Sequence, residues 1–116
     1  MDELRIVVSC TIAPGQTDAF KATAGQLLDS VREKDPGTSR YDWFLSPDGA
    51  HAKIQETYAS SEALMAHMSN MGVLLERLVA LCSDITIDVL GDPSPQVREA
   101  IAPFHPTIYS DAFQLL

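Results

Sequence analysis

The chain has 116 residues, 46% of them hydrophobic, and its 16 acidic and 8 basic side chains leave a formal net charge of -8. This is close to the commonest domain size, with enough apolar content for a buried core that needs no disulfide or metal staples. The acidic balance and the lack of a basic stripe argue against nucleic acid as a partner. No apolar run reaches the ~20 residues of a membrane span, and the start lacks a signal peptide's basic residues and cleavage site, so no membrane contact and a cytoplasmic location are expected.

Leu4, Ile6, Val8, Cys10 and Ile12 alternate with mostly polar neighbours, the pattern of a half-buried strand. After Pro14-Gly15, residues Phe20, Ala24, Leu27, Leu28 and Val31 recur at helical spacing and predict an amphipathic helix over roughly 16–34. Asp35-Pro36-Gly37 stops it, because the residue before proline avoids helical geometry and glycine accepts a left-handed turn. A β-hairpin follows, its strands joined by Pro47-Asp48-Gly49. Strand alternation places Tyr41, Trp43 and Leu45 on one face of the first strand, and Ala52, Ile54, Glu56 and Tyr58 on one face of the second.

Ser60 or Ser61 caps a second helix, with Glu62 in its first turn and Leu64, His67, Met68 and Met71 on one face. An interruption at Ser69-Asn70-Met71-Gly72 would free Asn70 for function, and Leu74, Leu75, Leu78, Val79 and Cys82 then continue an apolar helix over roughly 72–82. Asp84 to Leu90 alternate as a fourth strand, closed by Gly91-Asp92-Pro93. Ser94-Pro95 starts a short helix to about Ala102, and Pro103 and Pro106 force an extended tail from Thr107 to Leu116. Ile108, Tyr109 and Phe113 are too apolar for a free end and are expected to pack on a partner subunit or over a pocket mouth. Cys10 and Cys82 match neither zinc spacing nor a disulfide framework and read as small buried hydrophobes.

Strand, helix, strand, strand, helix, strand is the ferredoxin-like α+β order, βαββαβ, with a four-stranded antiparallel sheet. Residues 1–91 form this domain, and 92–116 a C-terminal helix and tail within the same unit. Two helices cover one sheet face. Val7, Trp43 or Phe44, Ile54 and Tyr58 are candidates for the other, where an apolar patch would be covered by a homodimer through the sheet face.

Phe20, Asp35-Pro36-Gly37 with Tyr41 and Trp43, Glu56 with Tyr58, Ser61-Glu62-Ala63-Leu64 and then His67 follow one another in a familiar order and spacing. Over roughly residues 4–90 the chain resembles the antibiotic biosynthesis monooxygenase domain family, its quinol monooxygenase-like members included. The resemblance implies a dimeric α/β barrel with a pocket in each subunit between sheet and helices. Some members oxidise phenolic polycycles or hydroquinones to quinones with oxygen and without metal, flavin or haem, while others degrade haem or have no established activity. The family more often has glutamate before Pro36-Gly37, a conservative difference. The haem-degrading branch needs a tryptophan ahead of its histidine, and this chain has Tyr58 near that place, which disfavours haem on His67.

Triplet oxygen reacts slowly with closed-shell phenols, so a cofactor-free enzyme must first make an electron-rich phenolate, which takes a base and a dry pocket. His67 suits the base, since an imidazole accepts a proton at neutral pH. Glu56 can share that role if burial raises its pKa, or it can orient His67. Tyr41, Tyr58 and Asn70 can donate to a substrate oxygen, and Trp43 offers an apolar wall for a small aromatic substrate. The plainer readings make His67 a satisfied core residue, pair Glu56 with Arg40 or Lys53 across the hairpin, and use Tyr41 and Trp43 as core or dimer contacts. With His51 and His105 read as solvated, no metal site and no cofactor are expected. Two other functions use the same scaffold: a non-catalytic dimeric ligand-binding domain, and an oxygen-independent isomerase or cyclase.

Overall fold

A computed structural model describes residues 2–115. The order is β1 (Leu4–Ile12), α1 (Thr17–Lys34), β2 (Thr38–Leu45), β3 (His51–Tyr58), α2 (Ser61–Met71), α3 (Val73–Val79), β4 (Cys82–Leu90), α4 (Pro95–Ile101) and β5 (Thr107–Tyr109). The strands form one sheet in the order β2-β3-β1-β4-β5, the ferredoxin-like arrangement extended by one strand. That strand corrects the four-stranded expectation: after Pro106 the extended tail pairs with β4 in parallel, Val89 opposite Ile108. Ile108 thereby packs against its own chain's core rather than waiting for a partner, while Tyr109 and Phe113 stay exposed.

Register decides which side chains meet. Across the inner face, Tyr41, Glu56, Ile6 and Val89 form one row and Trp43, Ile54, Val8 and Ile87 the next. Leu45, Ala52 and Cys10 continue the series. Helices α1 and α2 cover this face with Phe20, Leu27, Leu64 and His67, all buried. Trp43, Ile54 and Tyr58 therefore belong to the inner face, and of the residues proposed for the outer face Val7 and Phe44 remain there. Their neighbours on that side include Arg5, Ser9, Arg40, Asp42, Lys53, Gln55 and Thr57, so the face is mixed rather than an apolar patch.

The helix breaks have local causes. Ser60 caps α2 by accepting the amide of Ala63, and Gly72, at φ 51°, separates α2 from α3. Ser94 caps α4 by accepting the amide of Val97, with Pro95 in the first turn as its fixed φ favours. Cys82 opens β4 instead of ending the preceding helix, because α3 stops at Val79. The β1–β4 register slips between Ser9 and Thr11, where Asp84 takes the left-handed conformation at φ 51°. No helix is long and apolar enough to cross a membrane among the described residues.

Candidate functional site

Between the sheet and α2 and α3 lies a cavity of about 300 Å³. Tyr41, Trp43, Glu56 and His67 line it, so strands β2 and β3 and helix α2 bring four of the six anticipated site residues to one wall. The other two stand behind that wall. Tyr58, fully buried, donates its hydroxyl hydrogen bond to Glu56. Asn70 is held in α2, where its amide donates to the carboxylate of Asp35.

Asp35 is the member the sequence reading passed over. As a helix stop it behaves as expected, its amide donating to Val31 at the end of α1. Its side chain, however, is buried, with a carboxylate oxygen 2.8 Å from Nδ1 of His67. The position itself carried a signal. A carboxylate at a helix C-terminus opposes the dipole and needs a compensating partner, and the chain supplies two, His67 and Asn70. The pair also ties the end of α1 to the middle of α2. Gly37 makes room for this approach, because a Cβ there would lie 2.5 Å from the Cβ of Ala63.

With Nδ1–H of His67 donating to Asp35, Nε2 carries the lone pair, and the ring reaches the cavity wall between two tyrosines. The ring centroids of Tyr41 and Tyr58 are 5.1 and 5.3 Å away. Burial pulls the His67 pKa below the usual histidine value, and the Asp35 carboxylate opposes that pull, so a proton taken up at Nε2 meets a stabilising charge. Glu56 is not paired with Arg40 or Lys53. Arg40 binds Asp42 at 2.6 Å, and burial raises the Glu56 carboxyl to about 7, against the Tyr58 hydrogen bond that lowers it. Burial and the nearby carboxylates push both tyrosine hydroxyls well above their ordinary range, so they remain neutral donors.

Trp43 touches Phe20 and Tyr41 edge-on at centroid distances of 5.7 and 5.5 Å, and its buried indole N–H has no partner among the described residues. His51 is exposed beside Thr11 and His105 is exposed at the end of a helical turn, and neither lines the cavity. No group of three or more His, Cys, Asp or Glu side chains among the described residues is arranged to hold a metal ion.

The family model described as antibiotic biosynthesis monooxygenase matches residues 4–74, the span from β1 into α3 that carries Asp35, Glu56 and His67. The chain belongs to the antibiotic biosynthesis monooxygenase family. Among solved structures, it is similar to MupZ from Pseudomonas fluorescens over 100% of this chain and 95% of that one, at 19% identity and a TM-score of 0.88. A Caulobacter crescentus protein provisionally assigned as an antibiotic biosynthesis monooxygenase matches at 20% identity and a TM-score of 0.71, covering 80% of this chain and 92% of that one. Rv0793 from Mycobacterium tuberculosis matches at 20% identity and a TM-score of 0.68, with 79% and 96% covered. At these identities the structures share the fold. A search of curated proteins finds no sequence match.

Proposed function

We propose that this family member is a cofactor-independent monooxygenase acting on a small phenolic, quinol or polycyclic aromatic compound. The observation that carries the reading is His67: buried, backed at Nδ1 by Asp35, and on the wall of an apolar cavity. A substrate hydroxyl near Nε2 gives its proton to His67, and Asp35 steadies the imidazolium. Tyr41 and protonated Glu56 donate hydrogen bonds to the resulting oxyanion, and Trp43 packs on the ring. The electron-rich phenolate then passes an electron to oxygen in the apolar cavity. For a quinol the balance is one oxygen molecule consumed, one oxygen atom replacing a ring hydrogen and the other released as water, with the quinol itself oxidised to the quinone level. The product is a hydroxyquinone and no outside reductant is needed. Conversion of a hydroquinone and naphthol panel under air and under nitrogen tests this, since the reading requires product only under air.

A second reading is favoured by the same pair of groups, because Glu56 near neutrality and a lone-pair-bearing His67 can also move protons without oxygen, as an isomerase or cyclase would. Equal conversion under both atmospheres would select it. A ligand-binding role without turnover is the outcome if a compound binds and neither atmosphere gives product. The family is commonly dimeric, and we propose a homodimer through the outer sheet face that carries Val7 and Phe44. A monomeric mass in solution would refute it.

A further inference from the structure

The cavity imposes a rule of charge and polarity on its ligand. No lysine or arginine contributes to its wall. Its polar groups converge at one end, where Tyr41 and Glu56 share a sheet row with Ile6 and His67 leans in from α2. From Val8 onward the lining is apolar apart from the Trp43 indole N–H, and it ends at Cys10 and Cys82, whose sulfurs are 3.6 Å apart. Those thiols add no charge, because burial raises both and pushes Cys82 up to about 12. Ile6 and Cys10 are four strand residues apart, which at ~3.3 Å per residue puts the thiol end of the cavity roughly 13 Å from its polar corner. A ligand that arrives as an anion would be stripped of water with no lysine or arginine to receive it, beside the site's own carboxyl group and a His67 that burial keeps neutral.

We propose that the cavity takes an uncharged amphiphile with one polar head, bound head first, and rejects carboxylates, phosphates and sulfonates. The head, a hydroxyl or carbonyl, occupies the Tyr41, Glu56 and His67 corner, and the body runs along β1 toward Cys10. This rests on the cavity being the ligand site in the proposed function. It narrows that function within the phenolic class, favouring compounds oxygenated at one end over those with polar groups at both.

Trp43, the single tryptophan of the chain, lies on the cavity wall and reports binding by its fluorescence. The experiment titrates the full-length protein with para-alkylphenols from methyl to hexyl and with the matching para-alkylbenzoates at neutral pH. Phenol affinity should rise about fourfold per added methylene, from ~0.8 kcal/mol per methylene at ~1.4 kcal/mol per decade, and level off when the cavity is filled. The benzoates should bind at least ~30-fold more weakly, the cost of an unpaired buried anion. Cys10→Phe should abolish the gain for the longest phenols and leave the shortest unchanged. Leu78→Phe, on half-buried α3, makes the same test if the first variant does not fold. Benzoates binding as tightly as phenols, or affinity that ignores chain length, would overturn the proposal, as would no phenol binding at all. Oxygen uptake is scored separately. Selective phenol binding without uptake supports this inference and overturns the oxygenase, whereas uptake on a carboxylate that binds as well as its neutral match does the reverse.

Discussion

Nδ1 of His67 lies 2.8 Å from a carboxylate oxygen of Asp35, with both side chains 2% exposed, so a helix end and the middle of another helix are joined by one buried polar contact. The contact has two consequences. It leaves Nε2 as the nitrogen free to take up a proton, and it places a compensating charge behind any proton the ring accepts.

Asp35→Asn keeps a hydrogen-bonding group and removes the charge. With the raising influence gone, the His67 pKa falls further, making it a weaker base. Turnover should drop ~10- to 100-fold with KM little changed, and the acid limb of the pH–rate profile should move to lower pH. Asp35→Ala should in addition cost ~1–3 kcal/mol of stability by leaving Asn70 and His67 unpaired. An unmoved pH profile in the Asn variant would show that Asp35 does not act through His67.

Glu56 gives stability a pH dependence of definite sign. Its folded pKa of about 7 lies above the ordinary 4.5, so between those values the native state holds a proton that the unfolded chain has lost. Its contribution is complete below about pH 4.5 and is lost as pH rises through 7. The lowered His67 pKa acts oppositely, contributing stability above the ordinary 6.5 that is lost as pH falls through the folded value. Glu56→Gln isolates the first effect: the fall in Tm from pH 5 to 8 should be smaller in the variant than in wild type. Parallel Tm curves would mean that Glu56 is ionised in the native protein throughout.

Gly37 faces Ala63 so closely that an added Cβ would fall 2.5 Å from the alanine methyl carbon. Gly37→Ala should therefore push the start of α2 outward and cost ~1–3 kcal/mol. The double variant Gly37→Ala with Ala63→Gly should recover most of it. Denaturant unfolding of the four proteins checks this, and additive losses would refute the contact.

Cys10 and Cys82 are free thiols whose burial holds them protonated. Alkylation by iodoacetamide at neutral pH should run at least ~10-fold slower than in the urea-unfolded chain, since the thiolate is the nucleophile. Equal rates by mass spectrometry would contradict the burial.

The elements were legible where one period governed. The β1 alternation and the α1 stripe ending at Asp35-Pro36 match the structure almost residue for residue, and Gly72 breaks the second helical run inside the anticipated segment. The fifth strand was hidden because three residues between prolines and a terminus carry no alternation, and their pairing with β4 is a tertiary event. Cys82 was misplaced because an apolar residue just past α3 fits a helical stripe as well as the first position of a strand. In the site, alternation grouped Tyr41 with Trp43 and Glu56 with Ile54 and Tyr58, but it left open which face looks inward, which register across the sheet decides, and it did not give the supporting layer. That Tyr58 and Asn70 serve Glu56 and Asp35 from behind depends on contacts between distant elements.

Oxygen uptake by metal-stripped protein on a panel of hydroquinones and hydroxylated polycyclic aromatics, beside His67→Ala protein and a protein-free autoxidation blank, tests the central claim most directly. The account predicts uptake above the blank for wild type and a loss of at least ~100-fold in the variant, the scale of a general base. Uptake that His67→Ala retains in full would contradict His67 as the base, and no uptake by wild type on any panel member would contradict the oxygenase.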